Sequence, residues 1–278
     1  MEFEKTLRQT VDEYCLMAKK ALGQNFLLDQ NITDKIIHLS LLGQNMTDFK
    51  NADVFEIGPG PGGLTRAILK QYPQSLTVVE ADERCCSIMQ DLKAQTKCDM
   101  NIIQGDALKT DVAALGLKNV QIVSNLPYNI SVPLLTGWLE NLENIAAMTL
   151  MFQKEVADRI LAPIKTKDYG RLSAMAQLNC KIEKLMTLNP ECFVPAPKIY
   201  SSVLLFKPLS KRPEKEVMQK VAQLTQAAFA QRRKMIRQSL KSIPNIEKIC
   251  LAAEVPMTAR AEEISPEQYL MMAQSGLF

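Results

Sequence analysis

The fold is decided by the ten-residue stretch Val54-Phe55-Glu56-Ile57-Gly58-Pro59-Gly60-Pro61-Gly62-Gly63. Its first half is apolar and β-prone, and its second half is a glycine-rich turn that precedes a helical segment starting near Leu64. Glycines let the backbone turn sharply and approach a ligand, so the stretch predicts a nucleotide-binding loop. A ligand-free turn is the plainer alternative. Glu80 argues against it, because it ends the next strand, where a carboxylate can hold ribose hydroxyls.

This loop is compatible with two cofactors. Gly58, Gly60 and Gly63 satisfy the G-x-G-x-x-G spacing of dinucleotide-binding proteins. Two details favour S-adenosylmethionine. Glu56 stands directly before the loop, and Asp106 ends the third strand, where its carboxylate can accept a hydrogen bond from an adenine amino group. A nicotinamide enzyme remains the alternative at this point.

Short β-rich runs alternate with helical segments around this loop, which predicts a parallel sheet of the βαβ type. Two later runs are expected to form an antiparallel pair that closes the sheet edge. The seven runs are Val54–Ile57, Leu76–Glu80, Asn101–Gln104, Val120–Ser124, Met148–Phe152, Lys184–Leu188 and Ser201–Phe206.

Two prolines, Pro208 and Pro213, mark a boundary after the last of these runs. Beyond it, apolar residues recur at helical spacing from Lys215 to Leu240, and the rest of the chain is also helical in pattern. We therefore predict an α/β domain over residues 1–209 and a small all-helical domain over residues 210–278.

The composition excludes several classes of protein. With 278 residues and 47% hydrophobic content, the chain can bury a substantial core. No continuous apolar run suits a secretory signal or a membrane span. Seven cysteines without a C-x-x-C pair predict neither a disulfide framework nor a zinc site, and they indicate a reducing, cytoplasmic setting. The only histidine, His38, lies in an apolar-periodic segment, and we predict a helix-surface position for it.

The second decisive segment is Ser124-Asn125-Leu126-Pro127-Tyr128, which ends the fourth strand. Ligands of open α/β sheets bind at such carboxyl ends. The amino group of an aromatic base is a weak nucleophile, and Asn125 with a carbonyl near Pro127 can accept its hydrogen bonds. Tyr128 offers a flat face for an extruded base, and stacking of about 1 to 3 kcal/mol offsets the cost of flipping. A simple strand-ending turn is the alternative, which the preceding glycine loop and acidic strand ends disfavour.

Basic residues are concentrated late in the chain. Residues 207–248 hold eleven Lys or Arg against three Glu, a local net charge of +8, whereas the whole chain carries +3. Such asymmetry indicates a polyanionic partner. Several of the basic residues are predicted to share one helix face suited to phosphate contacts, although a solvated or internally paired helix is the alternative: Arg232, Arg233, Lys234, Arg237 and Lys241.

Taken together, these motifs resemble the ribosomal RNA adenine dimethyltransferase family, and within it the bacterial kasugamycin-sensitivity (KsgA) family that acts on the small subunit. The likeness extends over nearly the whole chain after Leu16. The segments that carry it are Leu22–Leu27, Glu56–Gly60, Asn125–Ser131, Gln153–Ala157, Tyr169–Ser173, Phe193–Lys198 and Phe229–Lys234. The resemblance implies a Rossmann-like class I methyltransferase domain, S-adenosyl-L-methionine as cofactor, no metal, and a helical RNA-binding domain.

The resemblance also implies roles for individual residues. Phe193 would cover the target base opposite Tyr128. The substrate would be two adjacent adenines in the 3′-terminal hairpin of 16S ribosomal RNA, within the small subunit or its precursor, and the enzyme a monomer that contributes to subunit biogenesis. The cofactor would be contacted by Asn25, Leu27, Gly58, Glu80, Asp106 and Asn125.

Two rival functions share this fold. The macrolide-resistance methyltransferases modify large-subunit RNA, and the segments Gln153–Ala157 and Tyr169–Ser173 favour the small-subunit enzyme over them. A non-catalytic assembly or transcription factor is the other rival, and intact Asn125, Pro127 and Tyr128 argue against it. The extension up to Leu16 is longer than is typical of the family, and no role follows for it from the sequence.

Overall fold

The computed structural model describes residues 2–16 and 24–277. The chain forms two compact units. The first unit comprises Met1–Leu135, Glu143–Lys154 and Glu183–Lys207, and the second comprises Thr136–Leu142, Glu155–Ile182 and Pro208–Phe278. The expected division at residues 209 and 210 therefore approximates only the last of these boundaries, because residues 136–142 and 155–182 group with the C-terminal helices.

The first unit is built on a seven-stranded sheet in the order β4-β3-β2-β5-β6-β9-β7. Pairing is parallel from β4 through to β6, and β9 runs antiparallel to β6. The strand order reverses at β2, so the gap between the carboxyl ends of β2 and β5 is the switch point where ligands bind in such sheets. The strands are β2 Asp53–Ile57, β3 Ser75–Glu80, β4 Asp99–Gln104, β5 Val120–Asn125, β6 Ile145–Gln153, β7 Cys180–Leu188 and β9 Ser201–Pro208.

The five predicted strands of the βαβ series are confirmed within two or three residues at each end. The two later runs are also neighbours at the sheet edge, as predicted, but β9 lies between β6 and β7. The first of these runs begins at Cys180, four residues earlier than predicted. The central strand β2 is buried along its whole length, which explains its continuous apolar run.

Helices cover the sheet of the first unit, and their starts are readable in the sequence. Asp29 caps α2 by accepting a hydrogen bond from the Asn31 amide, and Asp82 caps α4 in the same way through the Arg84 amide. His38 is exposed on α2, as predicted. The helices are α1 Leu7–Glu13, α2 Gln30–Gly43, α3 Gly63–Leu69, α4 Glu83–Ala94 and α5 Ser131–Glu140, whose last turn belongs to the second unit.

A two-stranded antiparallel sheet joins early and late parts of the first unit. Its strands are β1 Phe26–Leu27 and β8 Phe193–Val194, with Leu27 opposite Phe193. The motif Leu22–Leu27 is thus partly placed, because its first two residues lie outside the described residues.

The second unit is helical, and its α7 packs against α8 and α11. This packing is the reason that α7 groups with the C-terminal helices. Tyr169 and Tyr269 are fully buried there, and their rings flank Phe229 at centroid distances of 5.9 and 6.2 Å. The helices are α6 Lys154–Leu161, α7 Arg171–Asn179, α8 Lys215–Ala230, α9 Ile236–Ser239, α10 Ile246–Ala252 and α11 Pro266–Gln274.

The helical pattern from Lys215 to Leu240 is divided between two helices. Helix α8 ends at Ala230, and Met235 is extended, with φ −65° and ψ 152°. Met235 forms an isolated antiparallel bridge with Arg260. Since the amides of Ile236 and Arg237 donate to carbonyls of residues 259 and 257, they are not available to continue α8, and a new short helix begins instead.

Within residues 2–16 and 24–277, no helix combines the length and the apolar character needed to cross a lipid bilayer.

Candidate active site

A cavity of about 300 Å³ lies at the carboxyl ends of β2, β3 and β5, at the switch point of the sheet. That volume is at the lower end of the range for small-molecule pockets, about 300 to 1,000 Å³. The cavity brings together every residue that was predicted to contact the cofactor. They are Asn25, Leu27, Gly58, Glu80, Asp106 and Asn125.

The glycine loop forms one wall of this cavity. Gly58 directly follows β2, and its amide donates to the Val79 carbonyl at 2.9 Å. Gly60 has a φ of +55°, a region that L side chains rarely adopt, and a Cβ there would lie 3.0 Å from the Phe26 ring. Glycine is therefore required at position 60 both for the turn and for the aromatic ring that packs on it.

Glu80 occupies the end of β3, and its carboxylate is held by backbone amides. One oxygen accepts from Ala81 at 2.8 Å and from Asp82 at 2.9 Å, and the other accepts from Gly60 at 3.2 Å. Burial raises its pKa, and these three hydrogen bonds partly oppose that shift. Glu80 thus ties the glycine loop to the next strand, and its carboxylate lines the cavity.

Glu56 is 1% exposed at the end of β2 and also lines the cavity. Burial raises the pKa of this carboxyl from 4.5 to about 8, against the opposing hydrogen bond from the Thr65 hydroxyl at 2.8 Å. The negative charge of Glu80 adds to the shift. At neutral pH the protonated form of this carboxyl therefore predominates.

Asp106 is exposed at the end of β4, where it caps a short 3₁₀ helix of residues 107–109. One carboxylate oxygen accepts from the Leu108 amide at 3.0 Å. That bond fixes the side chain at the mouth of the cavity. An anchored carboxylate in this position can accept a hydrogen bond from an amino group of a bound base.

Asn125 links the two sides of the cavity. Its side-chain amide nitrogen donates to the Asn25 carbonyl at 3.2 Å. That contact leaves the side-chain oxygen as the acceptor of this group. The Pro127 carbonyl accepts from the Ile130 amide at 3.1 Å, which closes the turn after β5. The segment is therefore a rigid turn whose oxygens are acceptors for an amino group.

Tyr128 is held by a hydrogen bond of 2.7 Å between its hydroxyl and that of Ser201, the first residue of β9. Burial raises the pKa of Tyr128, and the bond to Ser201 opposes this. Ser131 donates to the Tyr128 carbonyl at 3.0 Å. Ring and backbone are thus both fixed, as a stacking platform requires.

Phe193 is placed differently from expectation. Its side chain is 2% exposed within the hydrophobic core and is absent from the described lining of the cavity. The reason is the alternation of the short strand β8, in which Phe193 points inward and Val194 is 53% exposed. A role opposite Tyr128 would require a change in this region.

The basic residues of the second unit do not share one helix face, because α8 ends before them. Arg232 is paired, with its Nε 2.6 Å from the Glu262 carboxylate and a terminal nitrogen 2.9 Å from the Thr166 carbonyl. The other four are exposed. They are Arg233, Lys234, Arg237 and Lys241.

Sequence reasoning missed three residues that shape the cavity. Phe26 packs on Gly60, Ser201 holds Tyr128, and Thr65 bonds Glu56. Phe26 lies in the family motif Leu22–Leu27, between the predicted cofactor contacts Asn25 and Leu27, and this position could have identified it. Ser201 and Thr65 act through contacts distant in sequence, and no local pattern marks them.

Comparison with known proteins agrees with this geometry. The family described as "Ribosomal RNA adenine dimethylase" matches residues 16–276. A "Ribosomal RNA small subunit methyltransferase A" of Rhodospirillum rubrum is 41% identical over 97% of this chain and 91% of its own length. The protein of the same name from Mesorhizobium japonicum is 42% identical over 97% of both chains.

Two solved structures share the fold. A dimethyladenosine transferase from Plasmodium falciparum has a TM-score of 0.73 at 23% identity, and it covers 90% of this chain and 98% of its own. The 23S rRNA methyltransferase ErmE has a TM-score of 0.67 at 22% identity, with the same coverage. The matched methyltransferase family, together with this fold, implies the use of S-adenosylmethionine. On the family match over residues 16–276 and the close relatives, this chain belongs to the ribosomal RNA adenine dimethylase family.

Proposed function

We propose that this chain transfers methyl groups from S-adenosyl-L-methionine to the N6 amino groups of two adjacent adenines in the 3′-terminal hairpin of 16S ribosomal RNA. The product is N6,N6-dimethyladenosine, and the modification contributes to small-subunit biogenesis. The observation that carries the proposal is that Asn125, Pro127 and Tyr128 line the same cavity as the glycine loop and Glu80. The residues proposed to hold the substrate amine therefore line the same cavity as those proposed to bind the nucleoside cofactor.

The cavity suits the cofactor in shape and in chemistry. Gly60 and the Phe26 ring that packs on it both line the cavity, and a Cβ at position 60 would push against that ring. In this proposal, Glu80 accepts hydrogen bonds from the ribose hydroxyls, Asp106 accepts one from the adenine amino group, and the buried Glu56 ionises beside the positive charge of the cofactor. S-adenosylmethionine, when bound, supplies an electrophilic methyl group on a sulfonium.

The residues of the chain then prepare the substrate amine. The Asn125 side-chain oxygen and a carbonyl near Pro127 accept hydrogen bonds from the amino group and favour a tetrahedral nitrogen as attack begins. Tyr128 stacks on the extruded base, with its ring fixed by Ser201. Proximity and orientation supply most of the rate enhancement, and water takes up the proton released from the amine.

The helical unit is proposed to bind ribosomal RNA through its exposed basic residues. Arg233, Lys234, Arg237 and Lys241 are exposed and lie within a nine-residue stretch, suited to backbone phosphates. Arg232 contributes through Glu262 to the structure of this stretch. The partner is the small subunit or its precursor, the enzyme acts in the cytoplasm, and it acts as a monomer.

The small-subunit assignment is tested directly. The purified protein is incubated with radiolabelled S-adenosylmethionine and unmethylated small subunits, with large subunits in parallel, followed by nucleoside analysis. Dimethyladenosine confined to the small subunit supports the proposal. Label on the large subunit moves the function to the macrolide-resistance class, and subunit binding without label leaves a non-catalytic factor.

A variant tests the proposed role of Asn125. Asn125→Ala removes the acceptor oxygen, and we expect transfer to fall by at least about 100-fold, comparable to the loss of one preorganised polar group in other enzymes. Asn101→Ala, at an exposed asparagine of β4, is the matched control and should keep full activity. Near-normal turnover of Asn125→Ala in a folded protein would remove this residue from the mechanism.

A further inference from the structure

The described N-terminal residues 2–16 form an arm, and all of it except residue 16 precedes the family match. The arm contains helix α1 with a reciprocal cap, in which Thr6 and Gln9 each bond the backbone amide of the other. Leu7, Thr10 and Leu16 of the arm are each no more than 5% exposed. The arm is therefore an ordered, packed part of the first unit.

Arg66 anchors this arm to α3, the helix that begins in the glycine loop. Its guanidinium donates to the Lys5 carbonyl and to the Thr10 hydroxyl at 3.0 Å, and it lies 5.1 Å from the centroid of the Phe3 ring. Arg66 is 5% exposed, and among the described residues no carboxylate pairs with it. Its Nε has no partner in the described structure. A buried arginine that depends on backbone and hydroxyl acceptors loses them if the arm detaches.

Helix α4 and its C-cap residue Gln95 also hold the arm. The Tyr14 hydroxyl donates to the Asp91 carboxylate at 2.6 Å, and the Glu4 amide donates to the Gln95 side chain at 3.1 Å. The arm is thus fixed to the two helices that follow β2 and β3, the strands that carry the glycine loop and Glu80.

The arm meets the cavity wall at Gly63. A Cβ at Gly63 would lie 3.4 Å from the Leu7 side chain and 2.6 Å from the Leu27 carbonyl. The backbone of α3 is therefore packed between the arm and β1, which lines the cavity. If the Leu7 side chain moves away or is shortened, a space opens beside Gly63. The backbone at Gly63 can then shift, and Leu27, which packs against it, is held less firmly.

We propose that the arm is a positioning element for cofactor binding, in which Leu7 and Arg66 set the place of the Asn25–Leu27 wall through Gly63. The inference rests on the proposed function, because it takes S-adenosylmethionine as the ligand of the cavity. Neither residue lines the cavity. Both act through the residues that do.

The test compares two alanine variants of the same helix. Leu7→Ala empties the space beside Gly63. Arg8→Ala, at the exposed neighbouring residue, is the control, because leucine and arginine have similar helix propensities and the two substitutions change that propensity equally. By calorimetry, we expect the Kd for S-adenosylmethionine to rise about tenfold in Leu7→Ala, within the range of couplings between sites, and to stay unchanged in Arg8→Ala. Leu7→Met, of similar volume, should restore it.

Two further measurements separate positioning from simple stability. Turnover at saturating cofactor and RNA affinity should match wild type in Leu7→Ala, while the KM for cofactor rises. Amide exchange at residues 24–27 of the cofactor-free protein should be faster. Thr10→Val, which removes one acceptor of Arg66 with little change in shape, should act in the same direction.

The outcomes are distinguishable from those for the proposed function. Wild type that binds no S-adenosylmethionine overturns the proposed function and this inference with it. Wild type that binds, with an unchanged Kd in a folded Leu7→Ala variant, overturns the inference alone. An equal loss of affinity in Arg8→Ala also overturns it.

Discussion

The hydrogen bond between Tyr128 and Ser201 offers a sharp test of how the stacking ring is held. The two hydroxyl oxygens are 2.7 Å apart, Ser201 is fully buried, and neither hydroxyl has another partner among the described side chains. Tyr128→Phe leaves the Ser201 hydroxyl buried and unpaired, which costs about 1 to 3 kcal/mol in the free energy of unfolding. Ser201→Ala is expected to cost less, because Tyr128 is only half-buried and its hydroxyl can find water.

The double variant distinguishes this bond from two independent effects. Tyr128→Phe with Ser201→Ala removes both hydroxyls and leaves no unpaired group, so part of the stability should return. The coupling free energy, measured by denaturant unfolding of all four proteins, should be about 1 kcal/mol. Tyr200→Phe, at the exposed neighbour, is the control and should change stability by no more than about 0.5 kcal/mol.

Activity should follow the same cycle. A freely rotating ring stacks less well on the base, so kcat/KM for the RNA should fall about fivefold in Tyr128→Phe, equivalent to about 1 kcal/mol, while cofactor affinity is retained. Strict additivity of the two single variants in both stability and kcat/KM would refute the account of Ser201 as the residue that fixes the ring.

Three other predictions follow from charge and backbone geometry. The folded protein holds a proton on Glu56 that the unfolded chain releases between pH 4.5 and 8, so the free energy of unfolding falls as pH rises through this window; Glu56→Gln should remove a slope of about 1.4 kcal/mol per pH unit in denaturant titrations. Gly60→Ala forces a side chain into a φ of +55° against Phe26, and the cofactor Kd should rise about tenfold or more in calorimetry; an unchanged Kd would contradict the role of Gly60 in shaping this wall of the cavity. Arg237→Ala should weaken RNA binding and reduce the dependence of the binding constant on salt concentration by about one phosphate contact, as measured by filter binding across a salt series. Arg232→Ala, at the paired arginine, should instead lower the thermal stability in melts. The opposite pattern, with Arg237→Ala destabilising and Arg232→Ala weakening RNA binding, would contradict this assignment.

The sheet and the cavity could be predicted because their signals are local. Each strand of the βαβ series is a short apolar run bounded by turn residues, and the predicted ligand-binding groups stand directly at the strand ends, as Glu80 does. The spatial order of β9 and β7 in the sheet could not be predicted from the sequence, because pairing between strands depends on contacts between residues distant in sequence.

The errors have a common physical origin. The pattern from Lys215 to Leu240 is helical throughout, yet tertiary hydrogen bonds from residues 236 and 237 to residues 259 and 257 interrupt it. Local propensity is a weak prior, and such contacts override it. Likewise, the family motif marks Phe193 as important, but whether its ring faces the cavity or the core depends on the register of β8 with β1.

The pairing of β1 with β8 also limits when the enzyme can become competent during its own synthesis. Leu27 and Phe193 are paired in this sheet, although more than half of the chain separates them in sequence. A nascent chain therefore carries the Asn25–Leu27 wall long before its partner strand has left the ribosome. Domains form as units once their distant contacts are available, so cofactor should not stabilise ribosome-bound fragments that end before residue 194. This wall of the cavity is therefore completed only after residue 194 has been synthesised.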